Sequence, residues 1–165
     1  MKLEQKSQQF AAEVHKGQLK KDGLTSYIQH PAEVVRLLKD IGTKEEDILC
    51  AAWLHDVIED SRVARDKLEK EFNPNISRIV SALTRDVNRK KYLDRIKNAD
   101  YSVQIIKLAD VIHNSSTPFH GIKQEAVDRM VNDCDKLYLE LAMKIEPRFY
   151  KKLTENLEPW KNNFL

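Results

Sequence analysis

Glycine and proline are scarce in this chain of 165 residues, which holds four of the first and five of the second. Strand-rich folds need frequent turns, so this shortage argues against a sandwich or barrel and favours long helices. Cysteine is scarcer still: Cys50 and Cys134 stand far apart in sequence and form no metal-type pair. Two such thiols are expected to be buried and reduced, as in a cytoplasmic protein. No apolar run approaches the ~18 residues that would span a bilayer. The N-terminal MKLEQKSQQF lacks the apolar stretch of a secretory signal. Charge of one sign is missing too. The 28 basic and 26 acidic residues nearly cancel to a net +2, which gives no support for a protein that lives on nucleic acid.

What is present is helical periodicity. Leu3, Phe10 and Val14 predict an amphipathic helix over about 2–16. The polar KGQLKKDGLTSYIQ that follows reads as a loop. Pro31 suits the first turn of a helix carrying Val34, Val35, Leu38 and Ile41, and Gly42 closes it. Thr43 and Glu46 read as a capping box opening a central, nearly all-apolar helix. Short helices over 64–72, 74–83 and 88–97 follow, then one over 101–114. Two long helices, 122–144 and 147 to about 157, complete an all-α chain, read as a single domain over 1–165.

Within the most apolar stretch, AAWLHDVIED (Ala51–Asp60), stand His55, Asp56, Glu59 and Asp60. On a helix His55 and Glu59 share a strip, as do Asp56 and Asp60. Two like charges on a buried helix are unfavourable unless a cation holds them, so a metal ion explains them economically; a solvated face is the alternative that spacing alone leaves open. His30 ends the polar loop before a helix. Asp110 lies in KLADVIHN, a second apolar run with a sudden acid, and Asn114 lies one turn on. Two imidazoles and two carboxylates suit Mn²⁺, Fe²⁺, Co²⁺ or Zn²⁺ better than Mg²⁺, and water on such an ion ionises near neutral pH.

The order His30, His55-Asp56, Asp110 resembles the H…HD…D pattern of the HD-domain metal-dependent phosphohydrolases. Three words narrow the likeness: HKGQLKKDGLTSYIQHP (His15–Pro31), AAWLHDVIED, and IKLADVIHNSST (Ile106–Thr117). Together they resemble the hydrolase domain of the RelA/SpoT family, above all its stand-alone small alarmone hydrolases. The likeness covers about 5–118, with a helical extension over 119–165. It implies an all-α HD fold with a central metal site. His30, His55, Asp56 and Asp110 would be the metal ligands, usually for Mn²⁺. Glu59 and Asp60 would be the catalytic acid pair that manages the attacking water. Lys20, Lys21, Tyr27, Asn114 and Thr117 would line the nucleotide pocket. The implied reaction is hydrolysis of (p)ppGpp to GDP or GTP and pyrophosphate, a stringent-response activity on a small-molecule nucleotide.

The chain departs from the family at several positions. Lys20-Lys21 stands where Arg-Lys is common, Leu24-Thr25-Ser26-Tyr27 replaces Gly-x-Pro-Tyr, and Val111 and Ser116 replace frequent arginines. These departures touch base and phosphate recognition and leave the metal chemistry whole. They motivate a rival reading, an HD phosphohydrolase acting on an adenosine alarmone or a phosphorylated dinucleotide. A non-catalytic nucleotide sensor is a second rival, which the intact Glu59-Asp60 pair argues against. Arg85 and the Arg89-Lys90-Lys91 run read as a solvated face, and His15, His113 and His120 are not needed by the motif. Oligomeric state is open.

Overall fold

A computed structural model describes residues 2–20, 22–61, 63–116 and 122–162. They form ten α-helices: α1 (Leu3–Val14), α2 (Gln29–Asp40), α3 (Glu46–Leu54), α4 (Arg65–Glu71), α5 (Pro74–Leu83), α6 (Arg89–Lys97), α7 (Tyr101–Ser116), α8 (Gln124–Asp133), α9 (Leu139–Ile145) and α10 (Pro147–Asn162). Among the described residues β-structure is limited to one isolated antiparallel bridge, Leu19 with Ser26. The helical expectation is met, and no helix is long and apolar enough to cross a membrane. The chain divides into two compact units, Met1–Ile106 and Lys107–Leu165, with α7 running through the division.

The first unit is built around α3. Seven consecutive residues, Ile48 to Leu54, are buried, so this helix has no solvent face. It packs against α1, α2 and α5, each presenting an apolar stripe: Ala11 from α1, Val34, Leu37 and Leu38 from α2, Ile76, Ile79 and Val80 from α5. Asn73 caps α5 by accepting Ile76 N–H at 2.8 Å, with Pro74 at the first position, where no amide partner is missed.

Two local expectations are corrected here. Thr43 does not cap α3, whose N-cap is Glu45 without a side-chain bond. Thr43 N–H instead donates to Leu38 O at 3.1 Å and Gly42 N–H to Lys39 O at 2.9 Å, closing α2 in a Schellman motif that uses the +92° φ of Gly42. The capping-box residue is consumed by the end of the preceding helix. The second correction concerns AAWLHDVIED: α3 stops at Leu54, with His55 as its C-cap, and residues 55–60 continue as turns, Asp60 N–H donating to Asp56 O at 2.9 Å. Neighbouring His55 and Asp56 thus sit where the helix ends.

In the second unit the single helix expected over 122–144 is interrupted. A π-helical segment, Cys134–Tyr138, joins α8 to α9 and carries three buried side chains, Cys134, Leu137 and Tyr138. Packing rather than local propensity selects such a segment. The last helix runs to Asn162, past the expected 157, because Trp160 is buried and its indole N–H donates to Ser115 O at 2.9 Å.

Candidate metal centre

Residues 18–20 and 22–27 belong to a tight excursion between α1 and α2. Lys20 N–H donates to Thr25 O at 2.7 Å and Tyr27 N–H to Gln18 O at 2.9 Å. Asp22 fastens the tip by accepting the Thr25 hydroxyl (2.6 Å), Thr25 N–H (2.8 Å) and Leu24 N–H (2.9 Å). These bonds, the Thr25 hydroxyl foremost, hold the Asp22 carboxyl down at about 2. An Asx-type turn therefore closes this excursion. Its effect is to deliver Tyr27 and His30 to the end of α3.

There the side chains of His30, His55 and Asp56 meet. His30 Nε2 and His55 Nε2 are 3.0 Å apart, His55 Nε2 and Asp56 Oδ2 3.0 Å, and His30 Nε2 and Asp56 Oδ2 3.3 Å. Both imidazoles are buried. Ligands at ~2.1 Å and right angles around a first-row ion stand ~3.0 Å from one another. The observed triangle has that size. His55 Nδ1 lies 2.8 Å from Ala52 O. A carbonyl only accepts, so Nδ1 carries the proton and Nε2 turns a lone pair toward the other two atoms, the usual tautomer of a metal-binding histidine. A single cation between these three atoms would satisfy all of them at once. This cluster could hold a metal ion.

Burial pushes the Asp56 carboxyl up, but the neighbouring imidazoles, His55 first, outweigh it and hold Asp56 well below the ordinary carboxylate range. The Tyr27 hydroxyl donates to the same Asp56 Oδ2 at 2.7 Å. Burial, then the charges of Asp56 and Asp60, raise that phenol above its ordinary value and keep it a donor. Tyr27 is itself seated between two imidazoles, His15 at 4.8 Å and His30 at 5.6 Å between ring centroids.

The structure thus brings His30, His55, Asp56 and Tyr27 into one cluster, with Asp60 close enough to act on the Tyr27 phenol. Glu59 has a partner of its own: its Oε2 accepts Arg85 N–H at 2.9 Å, with the Arg85 guanidinium 3.6 Å from Oε1. Arg85 is exposed, as expected of a solvated face, and is also a partner of the candidate catalytic acid. Lys20 sits half-buried at the foot of the excursion. In the second unit Asp110 is buried, with Lys107 Nζ at 2.7 Å on one oxygen and Asn114 Nδ2 at 2.6 Å on the other. Lys21 and Thr117 lie outside the described residues. Sequence reasoning passed over His15, Arg85 and Lys107. His15 heads the first family-like word, which was its available signal; nothing in the spacing singles out the other two.

A family model described as HD domain matches residues 7–146. The guanosine-3′,5′-bis(diphosphate) 3′-pyrophosphohydrolase MESH1 of Danio rerio is 33% identical over 113 residues, covering 64% of this chain and 63% of that protein. The guanosine-3′,5′-bis(diphosphate) 3′-pyrophosphohydrolase of Borreliella burgdorferi is 29% identical over 164 residues, 92% of this chain and 24% of that protein. The chain therefore spans less than two thirds of either curated relative. A solved structure described as a metazoan ortholog of SpoT that hydrolyzes ppGpp matches with a TM-score of 0.84 and 26% identity, over 96% of both chains.

Proposed function

The chain belongs to the HD-domain family, and on that premise we propose that it is a Mn²⁺-dependent (p)ppGpp 3′-pyrophosphohydrolase working as a single HD hydrolase domain over 1–165. The observation that carries this reading is the triangle of His30 Nε2, His55 Nε2 and Asp56 Oδ2 with edges of 3.0–3.3 Å, set within words that resemble the alarmone hydrolases. The likeness over 96% of a chain described as hydrolysing ppGpp supports the choice of substrate.

In this reading His30, His55 and Asp56 hold the ion, and Asp110 joins them on the strength of its KLAD word. When bound, the ion lowers the pKa of water and polarises the phosphoryl oxygens. The chain's own groups do the rest. Asp60, beside the Tyr27 phenol, and Glu59 accept the proton of the attacking water and orient it. Water oxygen bonds to the phosphorus carried by the ribose 3′-oxygen, that P–O bond breaks, and the 3′-oxygen takes a proton, giving pyrophosphate and GDP or GTP. Lys20 and Lys21 draw the phosphates, and the Tyr27 ring, Asn114 and Thr117 shape the nucleotide pocket. Cys50 and Cys134, both free and buried, suit a cytoplasmic enzyme.

Purified protein incubated with ppGpp and Mn²⁺ is expected to release GDP and pyrophosphate, with the reaction abolished by EDTA and in Asp56→Ala. Mn²⁺-dependent turnover retained in Asp56→Ala sinks the site assignment. Metal binding without GDP release sinks the alarmone assignment and points to another nucleotide.

A further inference from the structure

We propose that Arg85, held in place by a clamp from α6, is a positioning residue for Glu59, an inference that rests on the hydrolase reading above. Glu59 lies beyond the end of α3, on a turn and exposed. Neither helix packing nor a metal bond orients its side chain, yet a proton acceptor must be held within hydrogen-bond reach of its target. Arg85 supplies the hold. Its main-chain N–H donates to Glu59 Oε2 at 2.9 Å, and its guanidinium lies 3.6 Å from Oε1.

The ion pair alone is exposed and worth little. The amide is different: a main-chain donor has no rotamers to lose, provided the segment that carries it is rigid. That segment is fastened on both sides of Arg85. Helix α5 ends with Thr84 N–H donating to Val80 O at 3.0 Å. Thr84 itself is extended (φ −68°, ψ 128°), which releases the next amide from the helix. From α6, the Tyr92 hydroxyl donates to Leu83 O at 2.9 Å. The Arg95 guanidinium donates to Thr84 O and, at 2.9 Å, to Asp86 Oδ1. It also lies 5.4 Å from the centroid of the Tyr92 ring. Residues 83, 84 and 86 are each tied to one helix, so the amide between them has one direction to point. With Oε2 pinned, the turn of the Glu59 carboxylate about its own axis is fixed.

The test combines a physical and a kinetic readout on the full chain. The Arg85 amide is expected to be protected from hydrogen exchange, and to lose that protection in Glu59→Ala. Arg85→Pro deletes the donor at a site where the preceding residue already has the extended conformation that proline favours; Arg85→Ala keeps the donor and removes only the guanidinium. Arg85→Pro should lower kcat for ppGpp on the order of 10- to 100-fold, with KM and Mn²⁺ affinity unchanged. Arg85→Ala should lose distinctly less. Arg95→Ala, which frees the segment without touching Glu59, should fall between them, with recovery in Arg95→Lys. In a Glu59→Ala background Arg85→Pro should cost nothing more, because the two act through one contact. An inert wild type overturns the hydrolase reading and this inference with it. An active wild type overturns the inference alone if its Arg85 amide exchanges freely, if Arg85→Pro matches Arg85→Ala, if the loss sits in KM or metal affinity, or if it persists in the Glu59→Ala background.

Discussion

Replacing Tyr27 with phenylalanine removes one oxygen from the edge of the candidate metal centre and nothing else. The ring stays, so its packing against His15 and His30 is kept. Lost is the hydroxyl that donates to Asp56 Oδ2 at 2.7 Å. Two effects oppose each other. The hydroxyl draws charge from an oxygen that would bind the ion, so its removal could tighten binding. It also holds the carboxylate in place before the ion arrives. A carboxylate oxygen has lone pairs enough for both partners, so the withdrawal is small and orientation wins. A hydrogen bond to a charged group is worth roughly 1.5–3 kcal/mol. Tyr27 is only half-buried, so water recovers part of this and about 1.4 kcal/mol remains, a tenfold weaker Mn²⁺ affinity. Competition against a chelating dye measures this directly, with circular dichroism to check that the helices are intact. A Tyr27→Phe protein that binds Mn²⁺ as tightly as the wild type, or more tightly, refutes the reasoning.

Two further outcomes follow from groups away from the centre. Glu146 accepts from Arg148 Nε at 2.7 Å, Nη2 at 2.8 Å and N–H at 3.1 Å at the start of α10, and its carboxyl is lowered chiefly by that guanidinium. A lowered carboxyl contributes stability above its unfolded value and loses it as pH falls through the folded one. Glu146→Gln should therefore cost about 1 kcal/mol at pH 7, with the difference in melting temperature closing in acid; a gap that widens in acid contradicts this. Burial pushes the Cys50 thiol up to about 11 and the Cys134 thiol to about 12. Neither should react with a thiol reagent at pH 8 until denaturant is added, and rapid labelling of the native protein would count against it.

The fold was legible wherever one face of a helix carries its own period. α5 runs from Pro74 to Leu83 as read, because Asn73, Pro74 and the stripe of Ile76, Ile79 and Val80 agree. Legibility failed where two elements compete for one residue. Thr43 has the chemistry of a cap, but a glycine at 42 claims its amide for the helix behind, and only the main-chain path decides between them. The break at 134–138 leaves no mark in the apolar spacing, where Leu137, Leu141 and Ile145 keep an unbroken helical period. At the centre, residue types and order pointed to His30, His55 and Asp56, because ionisable groups in apolar runs stand out. Arg85 did not, since an arginine in a charged loop looks like any other until its amide is seen to face Glu59.

The stop of α3 at Leu54 has an electrical consequence. The carbonyls of its last turn point toward His55 and Asp56, so the negative pole of a nearly all-buried helix lies at the metal cluster. His30 sits in the first turn of α2, which offers no free amide there: Gln29 and His30 N–H already donate to Ser26 O and Tyr27 O, and Pro31 has none. The end of α3 therefore sets the field at the three side chains, and that field favours a cation over a neutral molecule between them.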